Sequence, residues 1–84
     1  MEQLIAFVIE EKYKNEDAFF EIRERNIDDS IFYDILLESI YLFSISVTGE
    51  IIFNSELNDM DFSSMNRLID KIITRNIVLY YSLN

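Results

Sequence analysis

The sequence predicts an α+β fold, a two-layer sandwich with two helices on one face of a five-stranded, largely antiparallel sheet, in the order ββαββαβ. Three observations lead there. The lone glycine, Gly49, divides two runs rich in Ile, Val and Phe. From Phe20 onward, Phe20 and Ile22 face one way and Glu21, Arg23 and Arg25 the other, the period of a half-exposed strand. Two other segments carry a single apolar stripe at helical spacing. With 84 residues the chain is one domain, 1–84, of modest expected stability.

The N-terminal run Leu4–Ile9 fits a strand reaching about Tyr13, because most of its residues are β-branched or aromatic; a short helix has the same apolar content. Lys14-Asn15-Glu16-Asp17 is a polar turn, and Ala18–Arg25 returns as a strand with Phe20 and Ile22 on one side. A helix starting at Asn15 is the competing reading of this region. Asp28 or Asp29 then caps a first helix, in which Phe32, Ile35, Leu36 and Ile40 form the stripe and Asp34 and Glu38 lie opposite.

The central hairpin is dictated most firmly. A three-residue loop Val47-Thr48-Gly49 puts Gly49 at the left-handed position of a type I turn with a bulge, and pairs Ile45 with Ile51 and Phe43 with Phe53. Ser44, Ser46, Glu50, Ile52 and Asn54 fall on the opposite face. After a polar connection, Glu56 to Asp61, Asp61 or Ser63 caps a second helix with the stripe Met65, Leu68, Ile69, Ile72 and Ile73. Arg75 suits its last turn, Asn76 its stop, and Ile77–Tyr81 reads as a strand inside the sheet.

Composition removes several kinds of chemistry. There is no cysteine, hence no disulfide or thiolate, and no histidine, the commonest metal ligand and general base. Asn58, Asp59 and Asp61 resemble the start of a cation loop but lack its glycine and distal glutamate, so a helix cap is the better reading. Without a glycine-rich phosphate loop, a carboxylate–metal phosphotransfer site is also disfavoured, and no catalytic residue, cofactor or metal is assigned. No signal-peptide pattern opens the sequence, and Ile31–Ile45, interrupted by Asp34 and Glu38, is too short to span a bilayer; a cytoplasmic protein is expected.

Charge is the most informative feature. The net charge is −9, and no Lys or Arg occurs between Arg25 and Arg67. That interval holds Asp28, Asp29, Asp34, Glu38, Glu50, Glu56, Asp59 and Asp61, eight acids without an internal counter-ion. An acidic surface that merely solubilises is the plain explanation. The sharper one is a negative field aimed at a basic partner, with carboxylates standing where phosphates would. The function expected is a small acidic non-enzymatic protein that binds and inhibits a basic, nucleic-acid-handling protein. A phage anti-defence protein (anti-CRISPR or anti-restriction) or an immunity protein against a nuclease toxin would be of this type, acting as a DNA mimic.

The alternative is a self-associating regulatory or structural subunit whose acidity is incidental. Half the residues are hydrophobic, and helices on one face alone would leave Phe19 and its outer-strand neighbours for a homodimer. Glu10-Glu11 and Glu16-Asp17 read as solvated, and the interleaving of Lys12, Lys14, Arg23 and Arg25 with acids argues against a nucleic-acid groove. The five tyrosines suit a core edge or an interface anchor.

Overall fold

In the computed structural model, which describes residues 6–82 and the side chains of 6–76, five strands precede a single helix. They are β1 (Ala6–Tyr13), β2 (Glu16–Ile27), β3 (Ser30–Leu37), β4 (Ile40–Ser46) and β5 (Ile51–Asn54), followed by α1 (Phe62–Ser82). The sheet is an antiparallel meander in the order β1-β2-β3-β4-β5. The antiparallel five-stranded sheet and the α+β class are as expected; the order ββαββαβ and the second helix are not.

The first predicted helix, which ends at about Ile40, is instead β3 with the turn into β4. Phe32, Ile35, Leu36 and Ile40 do recur at helical spacing, but the same run alternates once Tyr33 and Leu37 are counted. Ile31, Tyr33, Ile35 and Leu37 share a face with Phe20 and Ile22 through the β2–β3 register. Its β-branched and aromatic content suits a pleated surface better than a helix. Asp28 and Asp29 cap nothing: with φ of 50° and 65° they form a two-residue turn joining Ile27 to Ser30. Lys14-Asn15 and Glu38-Ser39 do the same at the other two tight connections, with φ between 50° and 69°. Positive φ at both central residues matches the right-handed twist of the flanking strands.

Around Gly49 the expected loop is present. Ser46 N donates to Glu50 O at 2.8 Å, Gly49 N to Ser46 O at 3.0 Å, and Gly49 has φ of 91°. Ile45 pairs with Ile51 as expected, but Phe43 meets Asn54 and Ser44 meets Phe53. Ile52 is the extra residue of a bulge, so Phe53 turns to the opposite face. There its ring stacks on Tyr41, centroids 5.9 Å apart.

The helix covers one face. Met65, Leu68, Ile69 and Ile72, from the predicted stripe, are buried against Phe20, Ile22, Ile35, Leu42, Phe43 and Ile45, with Ile73 half-buried. Asp61 Oδ1 accepts from Ser64 N at 3.3 Å, the expected cap. The predicted strand Ile77–Tyr81 is a continuation of α1 to Ser82. Arg75 and Asn76 therefore lie within the helix: Arg75 sits 3.7 Å above the Phe7 ring, and Asn76 Nδ2 donates to Tyr33 OH at 2.7 Å.

Both sheet edges are guarded. On β1, Lys71 Nζ donates to Glu10 O at 2.7 Å, and Glu10 and Lys12 put charge along the strand. On β5, four residues with a bulge leave little to extend. Among the described residues, no helix lies on the other face of the sheet.

Candidate interaction surface

An antiparallel meander sends alternate connections to opposite ends, and this sorts the eight acids of the basic-free interval. Asp28 and Asp29 (β2–β3 turn) and Glu50 (β4–β5 loop) lie at one end. Glu38 (β3–β4 turn), Glu56, Asp59 and Asp61 lie at the other, a strand length of roughly 25 Å away. Asp34 sits between, on the helix-free face. The expected single stripe of Asp34 and Glu38 on a helix is thus replaced by a strand residue and a turn residue.

Three of the eight are engaged within the chain. Asp34 Oδ1 accepts from Ser44 Oγ at 2.6 Å and from Arg25 Nη2 at 3.1 Å, and Ser44 also bonds Tyr41 OH. Beside the stacked Tyr41 and Phe53 rings, Ser44 is fully buried on a face that no helix covers. Asp59 pairs with Lys14 Nζ at 2.6 Å and accepts from Tyr13 OH. Those two bonds hold its carboxyl below the usual range and raise the Lys14 ammonium. Asp61 is held low by the Ser64 bonds of its cap. Counter-ions missing from the interval are therefore supplied from β2 and the first turn.

Asp28, Asp29, Glu38, Glu50 and Glu56 are exposed and make no ion pair among the described residues. Of these, the Asp28–Asp29 end is the more developed surface. Next to the turn is a groove of about 400 Å³, lined by Asp29, Ser30, Ile31, Phe32, Ser46 and Val47. Ile27, Ile31 and Val47 are exposed there, so apolar area is rimmed by carboxylates. A protein interface has this anatomy, with an apolar centre and a polar rim.

One acid behaves differently from its reading as solvated. Glu11, on β1, faces the helix and is buried. Its Oε2 lies 3.1 Å from Arg67 Nε, its Oε1 lies 3.0 Å from Lys71 Nζ, and Lys12 N donates to it at 2.8 Å. Burial alone would raise its pKa; the Lys12 amide, Lys71 and Arg67 outweigh that and hold it at about 2. Nothing local marks it in the sequence, since the helix cations are remote along the chain.

No family model, curated protein or solved structure compared with the chain matches it. Among the described residues, no group of three or more acids converges as a metal site would require, and no helix is long and apolar enough to cross a membrane.

Proposed function

We propose that this chain is a non-enzymatic protein that binds a basic, nucleic-acid-handling protein through the Asp28–Asp29 end of its sheet and thereby obstructs it. The observation that carries this reading is the pairing of two features at one place. Two adjacent carboxylates project from a tight turn without an ion-pair partner among the described residues, and an apolar groove opens beside them. Charge of one sign steers a partner of the other, while apolar contact holds it once docked. A phage anti-defence or immunity role would use this surface to occupy a cleft built for phosphates.

An arginine-rich peptide tests the electrostatic part directly. Anisotropy titrations should show binding that weakens as salt rises, because exposed charges more than a Debye length apart are screened. Asp28→Asn/Asp29→Asn/Glu50→Gln should abolish most of it. Neutralising Glu10 and Asp70, exposed acids elsewhere, should change it little. Equal losses from the two sets would reduce the acidity to a solubilising role.

A further inference from the structure

We infer that the helix-free face of the sheet is the contact surface for a second copy of this chain, giving a two-fold dimer of stacked sheets with a helix on each outside. The side chains that carry it lie outside the groove at the acidic end, which meets this face at Phe32 and Ser46.

The β-strand registers place Val8, Phe19, Leu36, Tyr41 and Phe53 on this face, opposite Phe20 and Ile22. Val8 is 62% exposed, Phe19 63% and Phe53 60%. All three are core-type residues left exposed. Val8 and Phe19 on β1 and β2, and Phe53 on β5, flank the paired charges of the middle strands, and apolar area left exposed in this way marks a surface that a partner covers.

Charge decides what covers it. Two copies at −9 repel each other, so they can meet only where their surfaces are nearly neutral. This face is such a place. Its cations Lys12, Arg23 and Arg25 pair on the face with Asp17 at 2.6 Å, Glu21 at 3.1 Å and Asp34 at 3.1 Å. Glu10 is the carboxylate left over among its strand residues. A strongly basic partner gains nothing from a surface already neutralised, whereas a like-charged copy avoids its repulsion there.

Size agrees. Five strands about 4.8 Å apart, of four to twelve residues and about eight on average, each residue rising about 3.3 Å, give a face of roughly 500 Å². Two such faces bury about 1,000 Å² in all, near the lower bound for a specific interface. Packing of this kind keeps strand directions of the two sheets within about 30°. Edge-to-edge pairing is the weaker route, given the guarded β1 edge and the bulged β5.

Sedimentation equilibrium of the full chain over a range of concentrations is the test. Wild type should dimerise, and more tightly as salt rises, because screening relieves the repulsion between the two charged bodies. That sign is opposite to the one expected for a basic peptide at the acidic end, so the two readings fail separately. Phe19→Glu, a change at an exposed site, should weaken the dimer by about tenfold or more, with far-UV circular dichroism unchanged. Phe62→Glu, at a side chain 71% exposed at the start of α1, should leave the mass as in wild type. A wild-type monomer at every concentration would overturn the inference. So would equal effects of the two variants, or a dimer abolished by Ile52→Pro on the β5 edge and indifferent to Phe19→Glu.

Discussion

Arg67 Nε lies 3.1 Å from Glu11 Oε2, and Glu11 is the one buried carboxylate among the described residues. This contact, with Lys71 on the other oxygen, fastens α1 to the first strand of the sheet.

Its pH dependence has a defined sign. The folded pKa of about 2 is below the ordinary 4.5, so the stabilisation is complete above 4.5 and is lost as pH falls toward 2. Glu11→Gln should lower stability at neutral pH by on the order of 2–3 kcal/mol, less than a fully enclosed pair because both cations are half-exposed. Urea titrations should show the variant losing less stability than wild type between pH 4.5 and 2. Parallel losses for the two proteins would contradict the assignment.

Six non-glycine residues with positive φ lie in three consecutive two-residue turns. A side chain in the left-handed region costs about 1–2 kcal/mol, and Asn or Asp costs less than Ser. Ser39, at φ 69°, is thus a site where glycine improves the fold. Ser39→Gly should raise stability by about 0.5–1 kcal/mol after the extra freedom of the unfolded chain is subtracted. A lower urea midpoint for this variant would argue against the turn geometry.

The reverse holds at Gly49. At φ 91°, with a Cβ there meeting Ile69 Cγ2 at 3.1 Å, both backbone and helix packing resist a side chain. Gly49→Val should cost about 2 kcal/mol or more. An unchanged thermal midpoint would remove the loop as a determinant of helix position.

Asp34 holds Ser44 and Arg25 in place on the face it lies on. Asp34→Lys removes the acceptor of Ser44 and Arg25 and sets a third cation beside Arg23 and Arg25. Stability should fall by about 2 kcal/mol, since the buried Ser44 hydroxyl is left with fewer partners. Glu38→Lys, in an exposed turn, should be nearly neutral. Guanidinium titrations giving the same midpoint for both would contradict the network.

What was legible in the sequence follows from how local each signal is. Gly49, the Phe20/Ile22 alternation and the stripe from Met65 to Ile72 are set by a few neighbouring residues, and each is found in the structure. The segment from Ile31 to Ile40 satisfies two periods at once. Only the Asp28–Asp29 and Glu38–Ser39 turns choose between them, and without glycine these pairs advertise a turn weakly. Ile77–Tyr81 has strand composition, yet it follows a helix without a break and the sheet is already complete, so tertiary context overrides propensity. The acids of the candidate surface were legible as a group. Their division between two sheet ends, and the pairing of Asp34 and Asp59 with remote cations, depend on the meander and have no local signature.

The Asp28–Asp29 end is the proposed contact for a basic partner. Its most direct test is nuclear magnetic resonance of the labelled full chain titrated with an arginine-rich peptide, following every backbone amide. The predicted result is a perturbation concentrated at Asp28, Asp29, Ile31, Val47 and Glu50, fading as salt is added. Perturbations spread evenly over exposed acids, or centred on Glu38 and Glu56 at the far end, would contradict it.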